Sequence, residues 1–225
     1  MKSILHVALC ALSPVYVIYG NQAVSELNGK LDASYGSFNS SEGLTIEASA
    51  SVPVADELGF QFDALHADIE EVEFSGLGAH FFWRDNQVGL LGLSAGAVFG
   101  ERVDSYELSV EGEYYMDWLT LGAKAGFAAI EYDQAVPFIE TDESGAFGLI
   151  YATLYPLDDL SVTIGVEQRF DNSSVRLDAE YELPVNGLSL FARTMGLREG
   201  VISLPLHGAS RRGHFLTFVV ASRFS

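Results

Sequence analysis

The side-chain pattern of this chain predicts an all-β protein, a closed antiparallel up-and-down transmembrane β-barrel of about twelve strands. Three observations predict it. Apolar and polar residues alternate with a period of two over nearly the whole chain, and successive side chains on a strand point to opposite faces. The connections after the even-numbered segments are tight turns. The others tend to be longer, strongly so for the last two of any length, 132–143 and 195–213. Charged residues are nearly absent from the apolar parity and collect on the other, as a lipid-facing surface requires.

The chain opens with Met1-Lys2-Ser3 and an apolar run from Ile4 to Tyr19. This reads as a signal peptide over 1–23, too short for a spanning helix, with the barrel domain at 24–225. Segment one, Gly29–Phe38, sets Leu31, Ala33 and Tyr35 against Lys30, Asp32 and Ser34. Segment two, Gly43–Val54, sets Leu44, Ile46, Ala48, Ala50 and Val52 against Thr45, Glu47, Ser49 and Ser51. Segment three, Leu58–Ala67, sets Phe60, Phe62 and Ala64 against Gln61 and Asp63. Segments four (Glu73–Trp83) and five (Val88–Phe99) flank the polar turn Arg84-Asp85-Asn86-Gln87.

Segment six, Ser105–Tyr115, is clear: Tyr106, Leu108, Val110, Gly112 and Tyr114 oppose Glu107, Ser109, Glu111 and Glu113. Segments seven (Trp118–Glu131) and eight (Ser144–Tyr155) follow. The hairpin over 159–184 is the sharpest stretch. Leu160, Val162, Ile164 and Val166 share one face before the turn Asp171-Asn172-Ser173-Ser174; Val175, Leu177, Ala179, Tyr181 and Leu183 share it afterwards. Pro184-Val185-Asn186-Gly187 turns into segment eleven, Leu188–Thr194, and the last segment is His214–Phe224. Strands in hydrocarbon must pair every backbone group, so the sheet has to close. Tyr35, Tyr106, Tyr114, Tyr155 and Tyr181 lie near segment ends on the oily face, as interfacial girdles do.

Composition narrows the function classes. The net charge of -19 argues against a nucleic-acid partner. The single cysteine, Cys10, lies in the leader, so neither a disulfide framework nor a cysteine metal site is expected. No cofactor motif and no metal-ligand cluster stands out.

With its leader, amphipathic strands and C-terminal segment, the chain resembles the Gram-negative outer-membrane β-barrel proteins of the porin-like group. In that family the last strand carries alternating apolar residues and a terminal aromatic, which the barrel assembly machinery reads. Phe218, Val220 and Phe224 match that spacing, with Ser222 between; Ser225 after the aromatic departs from it. The resemblance implies a location in the outer membrane, with lipid, lipopolysaccharide and the assembly machinery as partners, and a monomer is expected.

The inward parity defines the candidate pore lining: Asp32, Glu47, Asp63, Glu107, Glu111, Glu113, Glu167, Arg169, Arg176, Asp178, Glu180 and Arg193. Acids outnumber bases, so a passive channel for small, preferentially cationic or neutral solutes is the expected function, without enzymatic activity. In segments four, five and eight the reading puts Phe81, Trp83, Leu91 and Leu93 on an apolar lumen wall, together with Leu77, Phe99, Ile150 and Leu154. It leaves His80 on the oily parity, where an imidazole is out of place. Two alternatives stay open. One is a structural or adhesive barrel with a plugged lumen. The other is a lipid hydrolase at the rim, using His66, His80, His207 or His214 with Ser75, Ser203 or Ser210, although no spacing sets a nucleophile beside a base. The basic loop with Arg198, His207, Arg211 and Arg212 is expected either to fold inward or to meet lipopolysaccharide phosphates.

Overall fold

A computed structural model describes residues 27–38, 41–69, 72–101, 103–132, 142–185, 187–199 and 218–224. The proposed leader, most of the 195–213 loop with His207, Arg211 and Arg212, and His214 lie outside the described residues. Twelve strands run in sequence: β1 (Asn28–Phe38), β2 (Ser41–Ala55), β3 (Leu58–Ile69), β4 (Val72–Asp85), β5 (Gly89–Gly100), β6 (Val103–Met116), β7 (Leu119–Tyr132), β8 (Glu143–Leu157), β9 (Leu160–Arg169), β10 (Asn172–Glu182), β11 (Leu188–Glu199) and β12 (Phe218–Phe224). Each pairs antiparallel with its sequence neighbour, and β12 pairs with β1 from Gly29↔Phe224 to Tyr35↔Phe218, closing the barrel. The expected fold and strand number are therefore both observed. The candidate assembly-signal residues Phe218, Val220 and Phe224 lie in this closing strand.

One end of the barrel is built from tight turns. Ala55 pairs with Leu58 and Met116 with Leu119 across two-residue connections. At Asp85 the turn is closed by the Val88 amide donating to the Asp85 carbonyl at 3.1 Å and the Gln87 amide to the Asp85 carboxylate at 2.8 Å. The opposite end holds the two longer connections, between Tyr132 and Glu143 and between Glu199 and Phe218. Its remaining turns are as short as those of the first end.

Alternation decides which side each residue faces. The outer surface is an apolar belt that includes Phe62, Leu108, Val110, Phe127, Ile164 and Leu177, all exposed. A charge at mid-depth on such a surface costs about 2–4 kcal/mol in lipid. The exposed acids on this side of the strands, Glu42, Asp68, Glu73 and Glu131, sit at the long-loop ends of β2, β3, β4 and β7. Tyr35, Tyr106, Tyr114 and Tyr181 are exposed at strand ends, as the girdle reading expects.

The interior corrects the sequence reading in β4, β5 and β8. Phe81, Leu91 and Leu93 are 43%, 65% and 56% exposed on the outer belt, whereas their neighbours Phe82 and Leu90 are 2% and 4% exposed and face the lumen. Trp83 shares the outward parity of Phe81, and its indole donates to the exposed Glu57 carboxylate at 2.6 Å. Leu77, Phe99, Ile150 and Leu154 also lie outside. Tyr155 is the reverse case: its hydroxyl meets the buried Thr120 at 3.2 Å, so it points inward. Large apolar side chains fall on both parities of these strands, because a narrow barrel packs them on its inner face too. Polarity contrast therefore vanishes as a marker of sidedness in β5 and β8 and rests on His80 and Arg84 alone in β4.

The inner face packs in three zones. At the long-loop end Leu65, Ala67, Phe74, Val103 and Ile130 form a buried apolar cluster, with Val72, Val98, Tyr132 and Phe170 against it. At the short-turn end Phe82 and Leu90 pack with Tyr115. Polar and charged side chains fill the space between. Glycines on the inner face make room for them. A Cβ at Gly122 would stand 2.0 Å from the Tyr151 ring, so that tyrosine can lie flat against β7 only because residue 122 has no side chain.

Candidate functional site

The charged lumen is assembled from inward positions of nearly every strand, and several of its ion pairs skip strands. Glu107 on β6 receives Lys124 Nζ of β7 at 2.6 Å and Arg169 Nη2 of β9 at 2.9 Å. Arg169 also donates through Nε to Glu167 at 2.8 Å. Phe147 of β8 completes this cluster, with the Arg169 guanidinium 4.3 Å and the Lys124 ammonium 5.9 Å from its ring centre. Four successive strands thus contribute to one knot. Cations over a desolvated ring gain from its quadrupole as well as from the carboxylates.

A second cluster centres on His80, 2% exposed inside the lumen. Nε2 lies 3.0 Å from Asp63 of β3, and Nδ1 lies 2.8 Å from Glu111 of β6. A neutral imidazole has one N–H, so only the doubly protonated ring donates to both carboxylates at once. The Gln61 amide donates to Asp63 at 2.8 Å, and the Ser51 hydroxyl donates to Gln61 at 3.0 Å, extending the chain of contacts to β2. The sequence reading put His80 on the oily face; the structure makes it the hub of an acidic site.

Below it, Glu113 accepts from the Tyr151 hydroxyl across two strand steps and from Tyr115 at 2.8 Å. Arg84 is buried and stacks on the Tyr115 ring at 5.4 Å. It belongs to β4 rather than to the polar turn expected over 84–87.

The fourth cluster straddles the closing seam. Lys30 of β1 lies 3.0 Å from Asp32 and 3.6 Å from Glu180 of β10. Arg193 of β11 lies 3.2 Å from Asp178 and 3.8 Å from Glu47 of β2. Arg176 reaches Asp178 at 2.6 Å through Nε. Each Lys30–Glu180 and Arg193–Glu47 contact spans β12, tying together the strands on either side of it. A cavity of about 10 Å³ beside Arg176, lined also by Tyr151, Glu167, Ser174 and Met195, has room for about one water.

All twelve expected pore-lining residues therefore face the lumen, gathered into these clusters. His80, Arg84 and Tyr151 were missed, while Gln61 has the inward parity expected of it in segment three. The signal for the first two was present: His80 and Arg84 share one parity in β4, which would have set the sidedness of that strand. The apolar lumen wall is real but is made by Phe74, Phe82, Leu90 and Phe147 rather than by Phe81, Trp83, Leu91 and Leu93.

The rim contains a serine-histidine pair on the outer face. His66 Nδ1 lies 3.2 Å from Ser75 Oγ, with Glu73 3.8 Å from Nε2. Ser75 pairs with His66 on one side and Phe99 on the other, so the backbone around it belongs to two strand ladders. Among the described residues no group of three or more His, Cys, Asp or Glu side chains is arranged to hold a metal ion.

No protein-family profile matches the chain, and no curated protein matches it. Solved structures do. A KdgM porin superposes with a TM-score of 0.63 at 11% identity, over 87% of this chain and 99% of the other. The COG4313 outer membrane channel from Pseudomonas putida F1 gives 0.60 at 10% identity, over 94% and 100%. A NanC porin gives 0.59 at 12% identity, over 85% and 98%. The chain thus has the fold of Gram-negative outer-membrane porins and channels.

Proposed function

We propose that the protein is a narrow, porin-like passive channel of the outer membrane. The observation that carries this reading is the sorting of side chains: an apolar belt outside, and a continuous set of charged clusters inside a closed barrel. Six described cations, Lys30, Arg84, Lys124, Arg169, Arg176 and Arg193, lie in the interior, where each carries a desolvation cost that water in an open channel lowers. The barrels it resembles are porins and channels rather than enzymes.

The solute class is small cations and small neutral molecules. The described lumen acids Asp32, Glu47, Asp63, Glu107, Glu111, Glu113, Glu167, Asp178 and Glu180 outnumber those six cations, so the interior field favours positive charge. Deep burial of many lumen groups sets a small bore. Insertion is proposed to use the barrel assembly machinery, reading the end of β12, and the monomer meets lipopolysaccharide at its long-loop rim.

Planar bilayers under a salt gradient test this. The channel reading expects discrete conductance steps and a reversal potential of the sign for cation preference, moving toward zero in Glu111→Gln. A silent protein overturns the channel. Steps with anion preference overturn the solute class alone. The second reading, a structural barrel with a plugged lumen, is favoured by the near-complete burial of His80, Glu167 and Arg169, and silence in this assay would support it.

A further inference from the structure

Phe170 is the one described non-glycine residue with positive φ, at 52°. It opens the two-residue turn between Arg169 and Asn172, at the long-loop end. Tight hairpins usually give such a position to glycine or asparagine, because a bulky side chain there crowds the backbone. The turn is braced to hold it. Gln168 donates through Nε2 to the Phe170 carbonyl at 2.8 Å and accepts from the Ser173 hydroxyl at 2.6 Å.

The ring explains the cost. It packs against the apolar cluster of Leu65, Phe74, Val103 and Ile130, which line the lumen from β3, β4, β6 and β7. To reach them from the β9–β10 turn it passes over β8. There Gly145 has no side chain; a Cβ at that position would stand 3.3 Å from the ring. Unfavourable backbone geometry that the surroundings hold in place is often part of how a site works.

Resting on the channel reading, we infer that Phe170 is the stopper of the long-loop mouth. Its ring closes the lumen by filling a phenyl-sized apolar seat formed by β3, β4, β6 and β7. Opening swings the ring off the seat as the turn relaxes from the left-handed conformation. The seat then meets the apolar face of an entering solute, while the charged clusters lie deeper along its path.

The test compares wild type, Phe170→Gly and Phe170→Leu, each refolded in detergent and reconstituted in planar bilayers. Glycine suits the positive φ, so the turn survives while the ring is lost. Leucine keeps apolar bulk. The stopper expects single-channel conductance or open probability to rise at least about twofold in Phe170→Gly, with Phe170→Leu near wild type. Equal conductance in wild type and Phe170→Gly overturns the stopper and leaves the channel standing. No conductance in either overturns both. An equal rise in both variants assigns the effect to the turn and overturns the role of ring bulk.

Discussion

Glu107 of β6 and Arg169 of β9 meet at 2.9 Å although β7 and β8 lie between their strands in the ring. The pair braces a quarter of the barrel wall from within. Both side chains are little exposed, so the contact is screened far less than a surface ion pair. A double-mutant cycle with Glu107→Gln and Arg169→Met is expected to return a coupling energy of about 0.5–3 kcal/mol by urea unfolding in micelles. Additive effects would show that the contact does not brace the wall.

His80 stands between two carboxylates, 3.0 Å from Asp63 and 2.8 Å from Glu111. Removing the ring leaves two acids facing each other in a buried site. His80→Ala is expected to destabilise by about 3–5 kcal/mol, the scale for breaking a buried ion pair on one side. Adding Asp63→Asn should recover part of that loss, because one uncompensated charge goes. A double variant no more stable than His80→Ala would count against this electrostatic account.

Leu93 lies on the outer belt near the middle of β5. Leu93→Arg is expected to cost about 2–4 kcal/mol in lipid vesicles. Had Leu93 lined the acidic lumen, an arginine there would have found carboxylate partners and cost little. The measurement is the unfolding free energy of the vesicle-embedded protein, and a near-neutral result would restore the lumen-wall assignment.

Gly122 and Tyr151 share a space that admits only one side chain. Gly122→Ala puts a methyl carbon where the Tyr151 ring lies, pushing the phenol off Glu113. The expected loss is about 1–3 kcal/mol, the usual scale of overpacking. In a Tyr151→Ala background the same substitution should be close to neutral. Equal penalties in both backgrounds would place the strain elsewhere.

Period-two alternation is local, and so the strand count and the inward set of charges in β1, β2, β3, β6, β9, β10 and β11 could be read directly from residues such as Glu107, Glu111 and Glu113, whereas the expected longer connections after odd-numbered strands appear only at 132–143 and after β11. Each strand announces its own two faces whenever one carries charge and the other does not. The sidedness of β5 and β8 could not be read this way, because their apolar side chains fall on both faces and closure of the sheet chooses which of Leu90 or Leu91 enters the lumen; in β4 only His80 and Arg84 mark the parity that takes Phe82 inward. Nor could the partners be read. Glu107 and Arg169 are 62 residues apart, and a carboxylate finds its guanidinium only when the ring brings β6 and β9 round the same interior. Chain-local chemistry sets the faces of a strand, while contacts that skip strands exist only once the wall has curved shut.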